Sequence, residues 1–220
     1  MGLTDLDCAI LLQQQYDGAL GIFDKQYSIR GVDFAVKTYK DCVVFAFEGS
    51  HNLADWLSNF EAAMIRPAKF GGVELGFYTG IPECSEVAKE WLEPGKKVWC
   101  IGHSRGAAHA HIFARALIID GVPGPDVHRV VFGSPNPGDT IFAAGLVESP
   151  VRSYRNYRNI LEQDFVCAVP EPLPVVAPYC HPGERIIIDV PGPLSDPWGP
   201  LRRHHLYLYH NYLVREKDNG

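Results

Sequence analysis

The chain has 220 residues, enough to bury a full core, and its apolar and charged fractions are those of an ordinary globular protein. Its net charge of −6 excludes the basic stripe of a nucleic-acid binder and offers no charge-driven attraction to an anionic membrane. No apolar run reaches the roughly 18 residues of a membrane span, and "MGLTDLDCAI" lacks the basic flank and apolar stretch of a secretory signal, so a cytoplasmic or other intracellular location is expected.

In "LTDLDCAILLQQQYD", Leu3, Leu6, Ile10 and Leu11 recur at helical spacing. "DFAVKTYK" and "DCVVFAFEGS" read as two strands around a Lys-Asp turn. "NLADWLSNFEAAMI" then puts Leu53, Trp56, Leu57, Phe60 and Met64 on one helical stripe. "SEVAKEWL" is a short helix stopped by Pro94-Gly95. "KKVWCI" is a β-type run ending at Gly102, and "RGAAHAHIFARALIID" is a helix closed by Gly121 and Pro123. "VHRVVFG", "SYRNYRNI" and "ERIIIDV" follow as strands, and "HHLYLYHNYLVRE" is a last helix or strand. The proline-dense segments around "ERIIIDV" read as rigid rim loops rather than a linker. Strands alternating with helices predict one α/β domain with a mostly parallel central sheet covered on both faces. The six cysteines, at 8, 42, 84, 100, 167 and 180, contain no CxxC pair and read as buried free thiols.

"CIGHSRGAAHA" holds a Gly-x-Ser-x-Gly pattern, Gly102 to Gly106. Ordinary Gly and Ser usage produces that pattern by chance in roughly one chain in ten of this size, so its surroundings decide its weight. A strand arrives on one side and a helix leaves on the other, which is the setting that pushes a serine Oγ out above a sheet edge. The helix also aims its free N–H groups at the space beside Ser104, where an oxyanion would form. The plainer reading is a serine that caps the helix.

A serine hydroxyl is a weak nucleophile without a base. A turn that resembles the α/β-hydrolase nucleophile elbow implies that family's order of nucleophile, acid, histidine. His109 and His111 ride the helix that carries Ser104 away, and His128 opens a strand, so none of them suits the role. The cluster "RRHHLYLYH" follows the final strand and supplies His204, His205 and His210. Asp164, in the loop after "SYRNYRNI", suits the acid. Asp189 competes with it, and Asp139 and Asp196 read as turn or cap residues. A histidine-rich metal site is the rival chemistry, but no H-x-x-x-H or H-E-x-x-H pair occurs, so neither metal nor organic cofactor is expected.

Four blocks, in order, resemble the class 3 lipases, a branch of the α/β-hydrolase fold: "VVFAFEGSHNLADWLSNF", "GHSRGAA", "NILEQDFVCAVP" and "HHLYLY". The resemblance implies an α/β-hydrolase that cleaves carboxylic esters, small or lipidic, with transient contact to a lipid interface. It implies Ser104 as nucleophile, Asp164 as acid and His204 as base, with His205 the alternative and His210 third. It further implies that the N–H groups of Ser50 and Arg105 form the oxyanion hole. The stripe Leu53-Trp56-Leu57 falls where the family tends to carry a lid or acyl-facing helix, though such stripes are as often core. Three positions depart from the family pattern: Glu48 where Arg is common, Glu74-Leu75-Gly76-Phe77 in place of His-x-Gly-Phe, and Arg105-Gly106-Ala107 in place of Leu-Gly-Gly. A cation at Arg105 is disfavoured in a first helical turn by about 0.3–1 kcal/mol. The alternative to an enzyme is a catalytically silent hydrolase-like domain used for binding or structure.

Overall fold

The structure, a computed structural model, describes residues 2–50, 52, 63–159, 161–170, 179–192, 201 and 203–219. Helix α1 (Asp5–Tyr16) starts at a capping box, in which Thr4 and Asp7 satisfy each other's backbone amides. Strands β1 (Lys25–Ile29), β2 (Val32–Thr38) and β3 (Cys42–Phe47) form an antiparallel meander. The short strands β4 (Met64–Ile65) and β5 (Val73–Glu74) pair with each other. Helices α2 (Leu75–Tyr78) and α3 (Ile81–Ala88) lead to β6 (Lys97–His103) and the long α4 (Arg105–Ile119). Strand β7 (Val127–Phe132), α5 (Thr140–Ala144), β8 (Val151–Asn159), β9 (Glu162–Gln163), β10 (Arg185–Ile188) and α6 (Leu206–Asn219) complete the described strands and α-helices.

The main sheet runs β1-β2-β3-β6-β7-β8-β10, and from β3 onward every neighbour along that path is parallel. Its strands β3 and β6 are almost wholly apolar because both faces are covered. Along β2, β3 and β6 the side chains still alternate. Phe34, Val36, Val43, Phe45, Phe47, Val98 and Cys100 pack with α3 and α4, while Ala35, Val44, Ala46, Trp99 and Ile101 pack with α1 and α6. Phe113 of α4 sits 5.0 Å, centroid to centroid, from both Phe45 and Phe47, which pins this helix to the sheet. Fully burying an aromatic or aliphatic side chain stabilises by about 1.5–3 kcal/mol, so these two layers dominate the fold's stability.

The expected strands from 32 onward are present, and the last segment is helical rather than extended. Two expectations need correcting. β1 was not expected; it is a polar edge strand that gains its place by pairing with β2. Met64, expected on a helical stripe, is instead in strand β4, paired with Glu74 across the β4–β5 ladder. The rest of that stripe, Leu53, Trp56, Leu57 and Phe60, lies outside the described residues, as does Asp196. Five cysteines are buried and Cys180 is half-buried, all as free thiols. No helix among the described residues is long and apolar enough to cross a membrane.

Candidate active site

Ser104 stands between β6 and α4 with φ 60° and ψ −130°. A non-glycine residue here is strained by about 1–3 kcal/mol, and such strain persists only where neighbours enforce it. The Ser104 N–H donates to the Phe132 carbonyl at 3.0 Å, and the Ser104 carbonyl accepts from Ala107 N–H at 3.0 Å. The serine does not act as a side-chain cap for α4, so the plainer reading of this residue is not met.

The flanking glycines are demanded by close approach. A Cβ on Gly102 would lie 2.3 Å from the Gly106 carbonyl oxygen, and one on Gly106 would lie 2.2 Å from the Phe47 carbonyl oxygen. Both obstacles are backbone, so relief requires moving α4 off β3. Gly106→Ala is therefore expected to destabilise the fold by about 3 kcal/mol. At roughly 2–4 °C per kcal/mol for a chain of this size, the melting temperature should fall by about 6–12 °C. A thermal melt within 2 °C of the parent would refute the packing argument.

Asp164 follows β9 and is fully buried. Both of its carboxylate oxygens lie 2.8 Å from His204 Nδ1. The Val166 N–H donates to Oδ1 at 3.0 Å, and the Tyr209 hydroxyl donates to Oδ2. Burial pushes this carboxyl up, but the neighbouring His204 and the hydrogen bonds from His204 and Tyr209 outweigh it and hold it below the usual carboxylate range. Asp164 is thus ionised at neutral pH, and His204 Nδ1 donates to it. That leaves Nε2 as the acceptor of the ring.

His204 Nε2 and Ser104 Oγ are both buried, and neither has a hydrogen-bond partner. Both residues line one cavity of about 340 Å³ with Gln13, Tyr16, Ser50 and His103. Gly133, at the end of β7, has no room for a side chain: a Cβ there would lie 2.7 Å from Asp164 Oδ2 and 2.8 Å from His204 Cε1. Ser50 lies three residues beyond the end of β3 and lines the same cavity as Ser104, and Arg105 follows Ser104 at the start of α4. Among the described residues, no group of three or more His, Cys, Asp or Glu side chains gathers as a metal site.

The other candidates are engaged elsewhere. His205 also lines the cavity, but it is exposed and its ring stacks on Tyr207 at 5.5 Å. His210 is half-buried on α6. His109 lies between the Phe47 and Phe77 rings, and His111 Nδ1 is 3.1 Å from Arg129 Nη1. Asp139 caps α5 and pairs with Arg66 at 2.6 Å. Asp189 pairs with Arg158 at 2.9 Å and with Arg203 at 2.8 Å.

Sequence reasoning did not pick out the residues that hold His204 in place. Buried Arg203, its chain neighbour, binds Asp189, Glu162 and Asn156, and the Asn156 side chain donates to the Arg203 carbonyl at 3.2 Å. The only local signal was the adjacency of arginine and histidine in "RRHH".

The family model for lipase (class 3) matches residues 44–173. Rhizomucor miehei triacylglyceride lipase superposes with a TM-score of 0.66 at 20% identity, covering 82% of this chain and 77% of that one. A triacylglycerol lipase whose catalytic centre is a serine protease triad superposes at 0.64 and 20% identity, covering 84% of this chain and 77% of that one. A fungal lipase–inhibitor complex, a model for interfacial activation, gives 0.58 at 21%, covering 76% of this chain and 72% of that one. No curated protein sequence matches the chain. The structural likenesses establish the α/β-hydrolase fold; because the family model spans more than half of the residues, the chain belongs to the class 3 lipase family and is a carboxylic ester hydrolase.

Proposed function

We propose that Ser104, His204 and Asp164 are the triad of this ester hydrolase and that the whole chain works as one α/β-hydrolase domain. The observation that carries the assignment is the pairing of His204 Nδ1 with Asp164 at 2.8 Å, while Nε2 is left without a partner in the cavity that Ser104 lines. His204 Nε2 takes the proton of Ser104 as Oγ attacks the ester carbonyl. Asp164 holds the ring in the required tautomer and stabilises its cationic form. The Ser50 and Arg105 N–H groups receive the developing oxyanion, each worth about 3–4 kcal/mol in comparable sites. His204 returns the proton to the leaving alcohol, and water then cleaves the acyl-enzyme with the same base.

Class 3 lipases act on lipid esters. We infer further that this protein meets its substrate at a lipid interface in transient contact, with the Leu53-Trp56-Leu57 stripe as the acyl-facing segment. The fungal lipase–inhibitor complex, a model for interfacial activation, favours this reading by analogy.

A fluorophosphonate probe tests the triad. It is expected to label Ser104 stoichiometrically and to abolish hydrolysis of p-nitrophenyl butyrate in parallel. Labelling of another serine would overturn the choice of nucleophile. No labelling at all, with no turnover, would favour a silent hydrolase-like domain. A series of p-nitrophenyl esters of rising chain length, with a phospholipid alongside, reads out the substrate class.

A further inference from the structure

His103, the residue between Gly102 and Ser104, is buried, and both of its ring nitrogens are engaged. Nε2 lies 2.7 Å from the backbone carbonyl of His204, and Nδ1 lies 3.0 Å from the Tyr16 hydroxyl. A carbonyl only accepts, so Nε2 must carry the proton. Nδ1 is then bare, so the Tyr16 hydroxyl must donate to it. The same hydroxyl receives the backbone N–H of Gly49. Every bond in the series has a fixed direction: Gly49 N–H to Tyr16 Oη, Tyr16 O–H to His103 Nδ1, and His103 Nε2–H to the His204 carbonyl.

The two ends of this series are the two backbones that Ser104 needs in register. Gly49 precedes Ser50 in the oxyanion loop, and His204 is the base. The His103 ring also stacks on the His204 ring, with centroids 4.6 Å apart and planes 28° apart. Gly49 is glycine for the same reason: a Cβ there would lie 2.2 Å from Tyr16 Oη and 3.1 Å from Ser104 Cβ. Burial, and then the adjacent His204, push the His103 imidazole down to about 3, so the ring stays neutral beneath an imidazolium forming on His204. Burial also raises the Tyr16 hydroxyl, which keeps its donor proton.

We propose that Tyr16 and His103 are positioning residues for ester hydrolysis: their hydrogen-bond series, from Gly49 to the His204 carbonyl, sets the spacing between the oxyanion loop and the base. The proposal makes helix α1 part of the catalytic apparatus. It rests on His204 as the base and Ser50 as the oxyanion residue.

The test measures kcat and KM on p-nitrophenyl butyrate, per active site titrated with a fluorophosphonate, for the parent, Tyr16→Phe, His103→Gln and His103→Phe. A misplacement of about 1 Å costs on the order of a hundredfold in rate. Tyr16→Phe, which breaks the series at one point, should lower kcat about tenfold with KM within about twofold. His103→Phe, which keeps only the ring stack, should lower kcat about a hundredfold. His103→Gln should recover about tenfold of that loss, because its amide N–H donates where Nε2 did. Parent kcat in Tyr16→Phe, or a change confined to KM, overturns the proposal, and so do glutamine and phenylalanine variants that behave alike. Should the buried His103 variants fail to fold, Tyr16→Phe decides by itself. A parent protein that is inert to probe and ester would instead overturn the functional assignment beneath it.

Discussion

Ser104→Ala is expected to lower kcat by about 10⁶ and Asp164→Asn by about 10⁴, the graded pattern of a nucleophile and of the group that orients its base. The two losses have different physical origins. Ser104 Oγ makes no hydrogen bond, and alanine keeps the Cβ that the elbow already accommodates, so removing the hydroxyl should leave the melting temperature unchanged. Asp164 sits inside a network. The Val166 N–H donates to Oδ1 and the Tyr209 O–H to Oδ2, so an asparagine, with one oxygen, keeps one of these bonds and sets its NH2 in the other oxygen's place, 2.8 Å from His204 Nδ1. The amide would then donate toward His204 Nδ1. The ring would have to place its proton on Nε2, the atom that must accept from Ser104. Residual turnover above the water rate should persist in both variants, because the Ser50 and Arg105 amides are untouched. The measurement is kcat on a short soluble ester, with contaminating esterase excluded by the probe. Either variant within tenfold of the parent would sink the triad.

The elbow was legible because its constraints are local. Gly102 and Gly106 are spaced by the turn itself, and the small residues that follow let α4 lie close to the sheet. The central strands were legible because burial on both faces leaves an apolar run with little polar interruption. β1 escaped notice because it is a mostly exposed edge with one sheet partner, so its pattern carries no periodic signal. Met64 continued a helical stripe in sequence, yet its pairing with Glu74 is a tertiary contact that periodicity does not report. The choice among His204, His205 and His210 was open for the same kind of reason. The orientation of His204 depends on Arg203 reaching Glu162 and Asp189, and on His103 gripping the carbonyl from β6. Those partners lie 14 to 101 residues away in sequence.

The histidines held below their usual range also make the fold acid-labile, and the melting temperature is expected to fall between pH 7 and pH 5. Burial pushes His103, His109 and His181 down to about 3, and His111 falls well below its usual range. In each case burial dominates, with help from nearby cations: Arg105 beside His109, Arg129 beside His111 and Arg185 beside His181. The unfolded chain takes up these protons near pH 6.5, whereas the native state refuses them until about 3. Between those values the unfolded state binds more protons, so stability is complete above about pH 6.5 and is lost as pH falls. At pH 5 the buried His103 and His109 each remove about 2 kcal/mol, and the half-buried His181 removes less, against a typical total of about 5–15 kcal/mol. Asp164, depressed in the native state, adds to the loss at still lower pH, while Glu74, raised by burial, opposes it. Far-UV circular dichroism and thermal melts from pH 8 to 4 read the effect, and an unchanged melting temperature between pH 7 and 5 would refute it. His109→Phe separates titration from packing. His109 Nδ1 makes no hydrogen bond and the ring already lies among Phe47 and Phe77, so phenylalanine removes a proton site without breaking a bond. Whatever the larger ring does to stability at pH 7, the loss between pH 7 and 5 should shrink by about 2 kcal/mol, because the slope depends only on the protons bound.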